Sequence, residues 1–102
     1  MRHAKLTEIT ITARKCVTEQ TLHRFLREEL DFPDYYGGNL SALADCLSSI
    51  GRPILITIDV NEDDIEPGMQ AYLLRFVQVC ARESFVNPNV SLILQHSSRL
   101  SA

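Results

Sequence analysis

The chain has 102 residues, of which 45% are hydrophobic and 23% charged, and its formal charge is −3. That is the composition of one soluble globular domain, and no apolar run is long enough to span a bilayer. The charge is unevenly spread: residues 28–66 hold ten acidic side chains and one basic, a net of −9, against +4 over residues 1–27 and +2 over 67–102. An acidic middle excludes binding to a phosphate backbone through that part of the chain and suits a basic protein partner steered by its field. For the run Glu62-Asp63-Asp64 alone, a solvated face kept for solubility is the simpler account.

Over residues 6–13, Ile9, Ile11 and Ala13 alternate with threonines, the period of a strand. Thr18 then caps a helix predicted over residues 19–30, with Leu22, Phe25, Leu26 and Leu30 on its buried side. Phe32-Pro33 closes it, because a residue before proline avoids helical angles. A second helix starts after Asn39 and runs to about Ser49. Gly51-Arg52-Pro53 breaks the chain ahead of Ile54–Val60, which is apolar at most positions on both sides and reads as a parallel strand covered on both faces. Asn61–Gly68 is an acidic loop with room for one helical turn. Met69, Tyr72, Leu73, Phe76, Val77 and Cys80 mark a third helix ending near Arg82, and Asn87-Pro88-Asn89 turns into a last strand over Val90–Leu94, with a frayed tail from Gln95. Strands separated by helical crossovers make a three-stranded parallel sheet packed with helices, an α/β fold in a single domain over residues 1–102.

Residues 33–47, Pro-Asp-Tyr-Tyr-Gly-Gly-Asn-Leu-Ser-Ala-Leu-Ala-Asp-Cys-Leu, are the most informative run. A tight aromatic turn delivers the chain into a helix capped by Asn39, with Leu40, Leu43, Ala44 and Leu47 on the core side. That leaves Ser41, Asp45 and Ser48 as a small polar stripe with one central carboxylate beside two tyrosines, a docking surface in outline. The run resembles the barstar family of intracellular ribonuclease inhibitors: Pro33, Tyr35-Tyr36-Gly37, Asn39-Leu40, Ala42-Leu43 and Asp45-Cys46-Leu47 stand at that family's relative spacing. The order of strands and helices extends the resemblance over most of the chain, and it implies the family's small α/β fold.

The resemblance also implies function. In the family the aspartate matching Asp45 enters the nuclease active site in place of a substrate phosphate, and the tyrosine matching Tyr35 stacks at its mouth. Tyr36 divides between interface and core, Asn39 is a cap before it is a contact, and Ser48 is a hydroxyl on the same face. With Gly37, Leu40, Ser41 and Ala44 these make up the expected partner-binding set. Without the motif, Asp45 would be an ordinary solvated charge. The sequence departs from the family at Ser41, where a second interface aspartate is usual, at Ala44, where a tryptophan is, and at Gln78 or Val79, where a glutamate of the later helix falls. Such losses imply a different nuclease or a weaker grip on the same one.

No constellation of reactive groups points to an enzyme. There is no phosphate-cradling glycine loop, nucleophile elbow or HExxH. His3, His23 and His96 share no ligand spacing with cysteines or carboxylates, so neither a metal nor another cofactor is expected. Cys16, Cys46 and Cys80 are an odd number without CxxC spacing, which fits buried reduced thiols. The N-terminus lacks an apolar signal segment. The expectation is a non-enzymatic cytoplasmic inhibitor of a ribonuclease with a basic active site, a bacterial immunity protein to a toxin. The alternative is a non-inhibitory scaffold using the same fold for another cellular protein.

Overall fold

A computed structural model describes residues 5–95 and orders them as β1 (Thr7–Ile11), a 3₁₀ turn (Ala13–Cys16), α1 (Glu19–Glu29), α2 (Leu40–Ser49), β2 (Ile54–Asp59), a second 3₁₀ turn (Glu62–Asp64), α3 (Pro67–Val86) and β3 (Val90–Gln95). The strands form one parallel sheet in the order β1-β2-β3, so the expected α/β architecture is present. Ile9 faces Ile56 across one ladder and Ile56 faces Leu92 across the next, which builds an apolar layer under the helices. Ile11, Leu22, Leu26, Leu43, Leu47, Ile54, Ile56 and Phe76 are its fully buried centre.

Four expectations are corrected. β2 is not covered on both faces: Ile54, Ile56 and Ile58 are buried, whereas Leu55, Thr57 and Asp59 between them are only half-buried. The helices pack on one side of the sheet, and Glu8, Thr10, Ser91 and Ile93 stand exposed on the other. α3 continues past Arg82 to Val86, because nothing breaks it before Asn87-Pro88, and its extra turn buries Glu83. Gln95 belongs to β3 and its amide reaches Asp59 Oδ2 at 3.1 Å; the rest of the tail, with His96, lies outside the described residues, as does His3. β1 is also shorter than the predicted segment, since Ala13 already begins the first 3₁₀ turn.

The end of α1 sets up the following turn. The N–H of Leu30 bonds to the Leu26 carbonyl, and Phe32 N–H reaches back to the Arg27 carbonyl at 3.0 Å. Asp31 between them has φ +54°, the left-handed position where helices usually place glycine or asparagine. The helix therefore stops through its own C-terminal geometry, two residues ahead of Pro33. The Arg52 guanidinium donates to the Leu30 carbonyl and ties this corner to the start of β2. No described helix is long and apolar enough to cross a membrane.

Candidate partner-binding face

The turn at residues 33–38 is closed by Tyr36 N–H bonding to the Pro33 carbonyl at 2.9 Å. Gly38 has φ +68°, a conformation that costs glycine nothing and strains other residues. Two adjacent tyrosines then take opposite roles. Tyr36 turns inward, its ring 4.9 Å from that of Phe32 and its hydroxyl 2.5 Å from His23 Nδ1. Tyr35 is 87% exposed. The turn that presents this exposed ring is held from inside by Tyr36.

His23 is the keystone of that anchor. It is buried in α1, and its Nε2 lies 2.6 Å from the Tyr72 hydroxyl of α3, so one imidazole links α1, the aromatic turn and α3. A neutral ring serves both tyrosines, donating from one nitrogen and accepting at the other. Burial pulls the His23 pKa below its ordinary 6.5, with the Glu19 carboxylate opposing in part. The same burial pushes both tyrosine hydroxyls up, so they remain protonated. The unfolded chain takes its proton near 6.5, and the folded chain resists it. His23 therefore contributes its full stability above that value and loses it as pH falls through the depressed folded value. Urea unfolding between about pH 7 and pH 5 should show wild-type stability falling, with a shallower slope in His23→Gln whatever its absolute stability. Equal slopes would mean that His23 titrates alike in the folded and unfolded chain.

α2 begins as its sequence dictates. Asn39 Oδ1 accepts from Ala42 N–H at 2.8 Å, while Leu43 N–H bonds to the Asn39 carbonyl. Leu43 and Leu47 are fully buried, Leu40 and Ala44 half-buried, and Ser41, Asp45 and Ser48 exposed. Ser48 Oγ donates to the Asp45 carbonyl at 2.8 Å, so its hydrogen is already used within the helix and its oxygen is left to accept. Among the described residues no hydrogen bond or ion pair reaches the Asp45 carboxylate. Asp34, by contrast, is held by Arg27 at 2.8 Å. Tyr35, Cys46, Ser49 and Arg52 line one open depression of about 230 Å³, which places the exposed tyrosine against the C-terminal half of α2.

Of the nine expected contacts, Tyr35, Gly37, Asn39, Ser41, Asp45 and Ser48 are exposed, while Tyr36, Leu40 and Ala44 are half-buried. Tyr36 and Leu40 pack against the core. His23, Tyr72 and Arg52 were missed as supports. His23 had left a signal, a polar residue between Leu22 and Leu26 on the buried side of α1. Burial raises all three thiols, Cys80 to about 12, and the Asp45 carboxylate adds to the effect at Cys46. All three cysteines are free.

The chain is 49% identical over 52 residues to the Bacillus subtilis (strain 168) protein named "Putative ribonuclease inhibitor YrdF", a match covering 50% of this chain and 57% of the relative. The family described as Barstar (barnase inhibitor) matches residues 6–96, from the start of the sheet through β3. With that span including every element of the fold and the whole aromatic turn, the chain belongs to the Barstar family.

Proposed function

We propose that this protein binds a ribonuclease and occludes its active site with the face made by Tyr35 and α2. The observation that carries the reading is the Asp45 carboxylate, exposed and unpartnered among the described residues on the same flank as a solvent-exposed tyrosine. A ribonuclease gathers cations and hydrogen-bond donors around a phosphate, and a carboxylate carried in on a rigid helix satisfies them. The protein performs no chemistry; it prevents chemistry in its partner. Membership of the Barstar family and the name of the B. subtilis relative both support a ribonuclease as the partner. We extend this to a cytoplasmic immunity role against a toxin nuclease with a basic active site. Ser41 and Ala44 leave Asp45 as the sole carboxylate on the exposed stripe of α2, which fits a nuclease site with fewer cations to neutralise.

Pull-down from the native cell followed by an RNA-cleavage assay tests this. The captured protein should be a ribonuclease whose activity falls to background at one equivalent of inhibitor. A captured protein without nuclease activity, or a nuclease still active when saturated, would favour the scaffold alternative.

The acidic middle of the chain adds a kinetic expectation. Association should slow as salt is added, while dissociation changes much less, because screening acts on the long-range approach more than on the docked contact. Stopped-flow measurement over a range of ionic strength reads this directly. An association rate indifferent to salt would reduce the acidic block to a solubility feature.

A further inference from the structure

α3 turns an apolar ridge away from the core. Its inner side carries Met69, Tyr72, Leu73, Phe76 and Cys80. Leu74, Ala81 and Phe85 recur at spacings of seven and four, which aligns them along the outward side. Leu74 is 60% exposed and Phe85 92%. A helix apolar on both sides is expected where both sides are covered, and the described residues cover only one. On the same outward side, toward the N-terminal end of α3, lies an open groove of about 660 Å³ lined by Val60, Ile65, Ala71, Leu74 and Val77. One ridge therefore carries an aromatic knob at one end and an apolar hole at the other.

We propose that the occupant of this groove is Phe85 of a second copy, with two α3 helices packed antiparallel about a two-fold axis near Gln78. Phe85 and Ala71 each lie seven residues from Gln78, so one rotation seats both knobs in both holes and the contact closes on itself. Charge selects the same orientation. Asp63, Asp64 and Glu66 precede α3, and Arg75 and Arg82 lie within it. Antiparallel pairing sets the acidic end of each helix beside the half of its partner that carries Arg82, and it opposes the two helix dipoles. Parallel pairing would stack the acidic ends. α3 spans about 30 Å, and a strip of that length falls short of the roughly 800 Å² per partner of a stable interface, so the dimer forms at high concentration and dissociates on dilution. Tyr72 lies about 200° around the helix from Leu74, toward His23, so the ridge points away from the His23 anchor. The dimer stands independently of the ribonuclease reading.

Analytical ultracentrifugation of the purified chain from micromolar to millimolar concentration tests it, with a rise from monomer to dimer expected. Phe85→Glu alters the knob and Ala71→Trp fills the hole. Each should weaken dimerisation at least ~30-fold, the effect of an aromatic anchor lost from its pocket. Both positions are exposed, so far-ultraviolet circular dichroism and the melting temperature should hold, and either variant alone suffices if the other fails to fold. Tyr35→Ala, in the aromatic turn and outside α3, should dimerise like the wild type. A wild-type monomer at every concentration, a dimer indifferent to Phe85→Glu and Ala71→Trp, or a dimer lost with Tyr35→Ala would overturn the proposal.

Discussion

Asp45→Ala is expected to weaken binding of the nuclease by ~2–5 kcal/mol while the fold survives. That is the range for truncating one side of a buried charged pair, a range that complexes of this same family helped to define. Most of the loss would come from cationic groups of the partner left desolvated and unpaired, more than from the missing attraction itself. The carboxylate touches nothing that the fold needs: Asp45 is exposed, and α2 buries Leu43 and Leu47 on its other side. Asp63→Ala provides the comparison, because it removes the same charge from the exposed loop ahead of α3 and should cost under ~1 kcal/mol, as a screened charge does. If non-specific attraction to a basic partner accounted for binding, the two variants would lose similar amounts. Calorimetric titration of both, with melting curves as the control on folding, separates the cases. Equal affinity in two folded variants would remove Asp45 from the role of phosphate mimic.

The elements of this fold were legible wherever a local pattern decided them. Thr18 and Asn39 announced the starts of α1 and α2, and in the structure both side chains cap as expected, Thr18 Oγ1 accepting from Thr21 N–H and Asn39 Oδ1 from Ala42 N–H. β2 shows where local pattern fails. Ile54-Leu55-Ile56-Thr57-Ile58 looks apolar on both faces, but burial on the second face depends on whether a helix crosses there, and all three helices took the other side. Leu55 is left half-buried by topology. The end of α1 was predicted at Phe32-Pro33, whereas the backbone had already reversed at Asp31 through a left-handed conformation that aspartate rarely signals in sequence.

The candidate face divides in the same way. The exposed stripe of Ser41, Asp45 and Ser48 followed from helical spacing against the leucines. The difference between Tyr35 and Tyr36 did not, since adjacent residues of one type in a turn carry no periodicity to separate them. It arises from His23, thirteen residues earlier, and Tyr72, thirty-six later than Tyr36, meeting in the interior. Contacts so distant along the chain leave no local trace beyond one polar residue on an apolar side. Ser48, the hydroxyl expected on the same face, donates its hydrogen to the helix backbone, a common use of serine within a helix.

Asn87→Ala is expected to be the most destabilising single polar substitution in this chain, at about 2–4 kcal/mol, because it removes three hydrogen bonds at once, one of them to the buried Leu47 carbonyl. Asn87 is 7% exposed. Its side-chain amide donates to the Leu47 carbonyl at 2.8 Å and the Ile50 carbonyl at 2.9 Å, and its Oδ1 accepts from Asn89 N–H at 3.0 Å. Leu47 lies in the last turn of α2, where carbonyls have no partner within the helix. One side chain after α3 thus closes the end of α2 and shapes the turn into β3. Alanine removes the donor and the acceptor together. Asn87→Asp keeps the shape and the acceptor, yet it aims a carboxylate at two carbonyl oxygens and should be no more stable than Asn87→Ala at neutral pH. Urea midpoints for the two variants and the wild type give the ordering. The effect on binding should run opposite to that of Asp45→Ala: under conditions where Asn87→Ala remains folded, Asn39 still caps the start of α2 and Asp45 still faces outward, so affinity for the nuclease should change little. An Asn87→Ala protein as stable as the wild type would mean that water replaces the amide at both carbonyls. A folded Asn87→Ala protein with sharply weakened binding would mean that the pitch of α2, and with it the placement of Asp45, depends on this distant cap.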